Sequence, residues 1–261
     1  MEQKYSAPAV EKMLALIELL AGSDSGYSIN ELARLTKSPV NSVYRICMVM
    51  SERGYLVNAP ESGHFVLGSK FYFIGKAAER RMTLNNVARP VLERLTHETR
   101  ESTQLITMRG DRAVIQAQVE TDNPIRIHVE TCSLISPHCS AAGKSILAFM
   151  RPSELDKVLP DDPERLTDNT ICVRADLERE FDLIRRERIA FDREEYMTGL
   201  RCIGAPIFDG DGKCVAGIDV MFPIYRVSEA DEARFATFVR KAAEDISRGM
   251  GYKDLLTKVN R

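Results

Sequence analysis

The residues best suited to chemistry lie in the run HCSAAGKS, positions 138–145. Its ending is that of a phosphate-binding loop, in which a glycine-rich turn aims backbone amides at phosphate and a lysine reaches the phosphate oxygens. Such a loop also needs a glycine five positions before the glycine that precedes the lysine, and His138 stands there. A side chain at that corner blocks the turn, which argues against a nucleotide-hydrolysing loop. Cys139 beside His138 offers a thiol and a base, yet neighbours on an extended chain point apart, and reactive Cys/His pairs are assembled in space. His128, Cys132, His138 and Cys139 are metal-ligand types whose spacing fits no closed four-ligand zinc pattern. No nucleophile, base and orienting group form a set, so neither catalysis, a cofactor nor a metal is expected. The DREE run at 192–195 reads as a solvated charge run, except that Asp192 follows apolar Phe191 and is its one pocket candidate.

The elements that must hold these residues belong to a chain of 261 residues, long enough for two domains at roughly 100–200 residues each. A formal net charge of −2 gives no global basic field, so contact with nucleic acid would have to be local and geometric. The first apolar run, MLALIELL from Met13, is broken by Glu18 and lacks the flanks of a signal peptide or a membrane span. Six cysteines without a C-x-x-C pair suit reduced thiols. A cytoplasmic protein with no membrane partner is the expectation.

Helical periodicity runs from Val10 to Leu20, and AGSDSG ends it. YSINELARLTK restarts a helix, with Ser28 as N-cap and Glu31 completing a capping box. A third helix is predicted from SPVNSVYRICMVMSE, with Ser38 as N-cap, Pro39 in the first position and Gly54 as the stop. YLVN and HFVLG around APESG then read as a hairpin over residues 55–68. Three helices and a hairpin are the plan of a winged helix-turn-helix, whose second motif helix enters the major groove of duplex DNA. Val40, Asn41, Ser42, Tyr44 and Arg45 lie on its first turns, where Asn pairs with adenine, Val meets a thymine methyl, and Ser, Tyr and Arg hold phosphates. Ser28, Lys37 and His64 complete the candidate DNA contacts. Residues 1–80 carry nine Lys or Arg against eight Asp or Glu. One such domain grips duplex weakly, which predicts at least a dimer on a palindromic operator.

A connecting helix is predicted over Phe71–Arg89, and Pro90 is expected to open the next one. Further on, TQLITMR, AVIQAQV, IRIHVE, CIGAPIF and CVAGIDVMF read as strands, the last two joined by the turn DGDGK. Helices are predicted near 141–150, 153–159, 175–188 and 228–250.

The stretches ELARLTKSPVNSVYRI, ERGYLVNAPESGHFVLG, HCSAAGKSILA and FDREEYMTGLRCIGAPIFDGDGKCVAGIDV make the chain resemble IclR-type bacterial transcriptional regulators over nearly its whole length. The resemblance implies an α+β protein: a winged helix-turn-helix (1–70), a linker helix (71–89) and a GAF-like α/β effector-binding domain with an antiparallel sheet (90–261). It implies a pocket for a small organic effector, at Ile135, Ala141, Ala142, Asp192, Cys202, Asp219 and Met221, with Gly143 beside them. Asp219 and Met221 sit two apart on a strand and so share a face. Small residues ahead of Gly143 would open a helix N-terminus whose amides favour an anionic group. Asp219 replaces an expected Ser, Val40 a basic residue and Lys37 a Gly. Two acids in one pocket suit ligand hydroxyls, which favours a polyhydroxylated ligand such as a sugar acid, with its acid group on the amides of residues 141–144. The expectation is a ligand-responsive regulator of a catabolic operon, a repressor, acting as a homodimer or homotetramer. The rivals are a constitutive DNA-binding protein and an enzyme with its active site in the second domain.

Overall fold

The computed structural model describes residues 7–59, 63–79 and 83–253. The chain forms two compact units, Met1–Arg81 and Met82–Arg261.

In the first unit α1 (Pro8–Ala21), α2 (Ile29–Leu35) and α3 (Val40–Glu52) bury Leu16, Leu20, Leu32, Val43, Cys47 and Met50, the inward stripe that the helical period predicts. Ser28 caps α2: its hydroxyl accepts the Glu31 N–H at 3.4 Å, while the Glu31 carboxylate accepts the Ser28 N–H at 2.8 Å. The cap of α3 differs from expectation. Pro39 takes that position, and the Ser38 hydroxyl turns back to donate to the Thr36 carbonyl at 3.2 Å, so the helix starts one residue later. Lys37, between the two helices, holds a left-handed backbone with φ of 49°. Antiparallel β1 (Leu56–Asn58) and β2 (Phe65–Leu67) form the hairpin, and Tyr27 bridges to Phe65 as an added edge. Residues 60–62 of the hairpin loop lie outside the described residues. The unit ends in α4 (Lys70–Glu79).

The second unit opens with α5 (Leu84–Thr99), so the single helix expected over 71–89 is two helices, and Pro90 lies inside the second one rather than at its start. Thr83 supplies the cap, accepting the Asn86 N–H at 3.3 Å. Pro90 sits on the exposed side, where water can satisfy the carbonyl it leaves unbonded, while Ala88, Leu92 and Leu95 face the core. The sheet is antiparallel throughout, in the order β5-β4-β3-β8-β7-β6. Its strands are β3 (Ser102–Arg109), β4 (Arg112–Val119), β5 (Leu134–Ile135), β6 (Ala190–Arg193), β7 (Leu200–Phe208) and β8 (Cys214–Pro223). α5 and α9 (Glu229–Gly249) cover one face through Leu92, Leu105, Ile203, Ile218, Val220 and Val239. α6 (Ala141–Leu147) covers the other, shorter than the helix expected to 150, with α7 (Pro152–Val158) and α8 (Arg174–Glu187) beside it.

The IRIHVE stretch is not a strand. The Gln118 side chain takes the place of a partner strand there: its Nε2 donates to the Ile127 carbonyl at 3.2 Å and its Oε1 accepts the Val129 N–H at 3.1 Å. Two glycines let α6 lie directly on the sheet. A Cβ at Gly204 would come within 2.6 Å of the Ala142 nitrogen, and one at Gly217 within 2.7 Å of the Ala142 oxygen.

Candidate functional site

On α3 the apolar stripe points inward and leaves Val40, Asn41, Tyr44 and Arg45 exposed, with Ser42 half-buried, on one continuous surface. Lys37 is exposed just ahead of it. Ser28 and His64 are half-buried. The Ser28 hydroxyl is engaged in its cap, and His64 Nδ1 hydrogen bonds the Ser25 carbonyl at 3.2 Å.

In the second unit the register of the sheet sets the site. Asp192 on β6 opposes Cys202 on β7, which opposes Met221 on β8. Asp219 opposes Gly204 on one side and Gln104 of β3 on the other, so these side chains share the α6 face. Asp192 and Asp219 are 1% and 2% exposed, which is decisive for their chemistry. Asp192 Oδ1 accepts the N–H groups of Glu195 at 2.7 Å and Tyr196 at 3.3 Å, but its Oδ2 and Asp219 Oδ1 are buried without a hydrogen-bond partner. Burial raises Asp219 to about 8, the nearby Asp192 charge adds to the rise, and the Ala142 N–H opposes it. Burial likewise raises Asp192 to about 6, against the N–H of Glu195. Gln104 donates to Gln118 Oε1 at 2.9 Å, which links the Asp219 neighbourhood to the segment that Gln118 clamps.

The structure brings Ala141, Cys202 and Met221 into one apolar cluster with Ile127 and Leu200. Ile135 and Ala142 pack in the adjoining cluster with Ile106, Ile115 and Tyr196. Gly143 is buried, but three of the four amides expected to receive an acid group, those of residues 142–144, are already engaged. The Gly143 N–H donates to the Ser140 hydroxyl at 3.2 Å, the Lys144 N–H to the Ser140 carbonyl at 2.8 Å, and the Ala142 N–H faces Asp219. Asp219 itself occupies the place expected for a ligand anion.

Sequence reasoning missed the most deeply buried charges. Lys144 is fully buried, and its Nζ donates to both oxygens of Glu195 at 2.6 and 2.7 Å, with Glu180 at 3.6 Å. Glu195 is therefore no solvated member of the DREE run, and Asp192 and Arg193 of that run lie in β6. Thr167 and Thr170 donate to the carbonyls of Glu194 and Glu195 at 2.6 and 2.7 Å, which fixes that turn. The signal was Lys144 itself: a lysine inside the apolar run AGKSILA demands a buried acid.

His138 and Cys139 form a 3-10 turn rather than an extended pair. His138 Nε2 hydrogen bonds the Glu164 carbonyl at 2.9 Å, and the Cys139 thiol donates to the Ser136 carbonyl. Burial raises that thiol to about 12, which leaves no thiolate to act. His128 is exposed and bonded to Glu120 at 2.8 Å, and Cys132 is exposed, so the four ligand types do not converge. Among the described residues no group of three or more His, Cys, Asp or Glu is arranged for a metal, and no helix is long and apolar enough to cross a membrane.

A winged helix-turn-helix followed by an antiparallel α+β domain with a buried polar cluster defines a DNA-binding transcriptional regulator. The model of the IclR helix-turn-helix domain matches residues 9–60, and that of the bacterial transcriptional regulator IclR C-terminal domain matches residues 76–248. The chain belongs to the IclR family. It is 34% identical to the HTH-type transcriptional regulator BhcR of Paracoccus denitrificans (strain Pd 1222), over 93% of this chain and 87% of that one. It is 29% identical to the HTH-type transcriptional regulator KdgR of Dickeya chrysanthemi, over 97% of this chain and 83% of that one. The crystal structure of the Agobacterium tumefaciens repressor BlcR has the same fold, with a TM-score of 0.85 at 22% identity, over 95% of this chain and 99% of that one.

Proposed function

We propose that the protein is a ligand-responsive repressor of a catabolic operon, binding a palindromic operator as a dimer or tetramer and sensing a small polyhydroxylated acid. The observation that carries the ligand class is the pair of buried oxygens, Asp192 Oδ2 and Asp219 Oδ1, that lack partners on the α6 face. An unpartnered buried acceptor is costly, and ligand hydroxyls satisfy it while a bare carboxylate repels it. At neutral pH Asp219, raised to about 8, also carries a proton that it can donate to a ligand oxygen. That proton replaces the helix amides as the partner for an acid group.

On the DNA side, Asn41 supplies the bidentate pairing with adenine, and Tyr44, Arg45 and Lys37 hold phosphates. Self-association is supported by α4, where Tyr72 and Phe73 are 64% and 67% exposed, too apolar a surface to leave in water. The name of BlcR, a repressor, favours repression. Ligand would then shift the balance between domain arrangements that match the half-site spacing and those that do not.

The test is operator binding by the full chain, on a duplex selected from random sequence, titrated with a panel of sugar acids. Release by one of them, abolished in Asp219→Ala, is expected. A footprint indifferent to every member of the panel overturns the ligand class, and no preference for any duplex overturns the regulator itself.

A further inference from the structure

A second site stands apart from the acid pair, at the other end of β7. Phe208 lies six residues beyond Cys202 on that strand, which at the rise of an extended chain is about 20 Å away. Arg188 follows the last residue of α8, in a left-handed backbone with φ of 54°. Its guanidinium carbon sits 4.6 Å from the ring centres of both Phe149 and Phe208, and those rings meet edge to face at 5.0 Å. The Phe208 ring in turn stacks on Tyr252 at 5.2 Å. A guanidinium held between two rings set nearly at right angles is fixed in position while N–H donors stay unused by them. Arg188 forms no ion pair with a carboxylate of the described residues.

A second guanidinium is set beside it: Arg240 of α9 donates from Nε to the carbonyl of Glu187, the residue before Arg188, at 3.0 Å. Both arginines line a cavity of about 710 Å³, with Lys253 at its edge and Pro206, Phe208 and Ala243 as an apolar wall. Glu244 also lines it, and so does Arg248, which is paired with Asp245 at 2.8 Å. Cations outnumber carboxylates on this lining, and two of them are oriented by contacts that leave donors free. An apolar wall beside a cationic edge suits a molecule with a flat apolar body and one anionic end.

The geometry points to a binding site for a small aromatic carboxylate, with its acid group on Arg188 and Arg240 and its ring against Pro206, Phe208 and Ala243. The site shares no residue with the acid pair, so it stands or falls independently of the ligand proposed for that pair.

The test uses the full chain with benzoate as the probe and benzyl alcohol as its uncharged counterpart, followed by calorimetry or by saturation-transfer NMR. Benzoate is expected to bind at millimolar concentration or below and benzyl alcohol to bind far more weakly. Arg188→Gln and Arg240→Gln should each weaken benzoate by roughly tenfold, the loss of one charge-assisted contact. Arg179→Gln, on the exposed side of α8 and outside the cavity, should bind as the unaltered chain does. If Arg188→Gln unfolds the domain, Arg240→Gln decides alone, because Arg188 packs on two rings whereas Arg240 is bonded to the Glu187 carbonyl through Nε. Absence of benzoate binding, equal binding of benzyl alcohol, or undiminished binding in the arginine variants would each overturn the site.

Discussion

Asp192 and Asp219 flank β7 from opposite sides, opposing Cys202 and Gly204, and each keeps one carboxylate oxygen buried without a partner. Gly204 gives the pair no side chain to lean on, because α6 sits too close for one. Two buried acids so placed cannot both ionise cheaply: burial raises each of them, and the Asp192 charge raises Asp219 further. The arrangement is poor for stability and good for binding, the usual relation at a functional site.

That relation makes stability depend on pH in a stated direction. Asp219 is raised from the ordinary aspartate range to about 8, and Asp192 to about 6, so between pH 4 and those values the folded chain holds protons that the unfolded chain has lost. Stability is therefore fullest below about pH 4 as far as these groups are concerned, and it falls as pH rises, through about 6 for Asp192 and about 8 for Asp219. Asp219→Asn removes the larger dependence. Its melting temperature should exceed that of the unaltered chain at pH 8.5 and approach it at pH 5.5, and parallel pH profiles for the two would contradict the assignment.

Lys144 and Glu195 test the other buried charges. Removing one partner strands the other in the core, at a typical cost of about 3–5 kcal/mol, whereas replacing both with apolar residues of similar size costs far less. In urea denaturation Lys144→Met should lose about that much, and Lys144→Met with Glu195→Leu should recover most of it. A double variant as unstable as the single one would show that the lysine serves some other partner.

Much of this fold was legible in the sequence because its signals were local. The capping box of Ser28 and Glu31, the apolar stripe of Val43, Cys47 and Met50, and the strands before and after DGDGK each follow from spacing within a few residues. What was not legible depends on distant partners. Glu195 looked like a surface charge until Lys144, 51 positions away, was seen beside it. IRIHVE alternates like a strand, but its backbone is satisfied by the Gln118 side chain, which no period reveals. Pro90 carried a valid start signal that Thr83 had already made redundant. Within the acid pair, Asp192 and Asp219 were legible as residues, while the engagement of the α6 amides by Ser140 and Asp219 was not.

Lys37 carries a strain that one substitution relieves. Its φ of 49° puts a side chain in the left-handed region, which costs about 1–2 kcal/mol for residues other than glycine. Glycine removes that cost and gives part of it back as extra freedom of the unfolded chain. Lys37→Gly should therefore stabilise the first unit by about 0.5–1 kcal/mol while weakening operator binding through the lost charge. Opposite movements of melting temperature and operator affinity are the expected reading, and a loss of stability would mean that Lys37 makes a contact worth more than the strain.

Gln118 holds the 125–130 segment by two backbone hydrogen bonds and reaches the Asp219 neighbourhood through Gln104. In Gln118→Ala the Val129 N–H and the Ile127 carbonyl lose their only bonds to β4, and no strand pairing stands in reserve among the described residues. Hydrogen exchange at Val129 should then rise steeply while amides in β7 and β8, paired along their whole length, stay protected. Gln118→Glu discriminates further. It retains an acceptor for the Val129 N–H but no donor for the Ile127 carbonyl, so exchange at Val129 should remain close to that of the unaltered chain although the segment loosens. Unchanged exchange in both variants would place the anchor of this segment in the ion pairs of Glu120 with Arg126 and His128 instead.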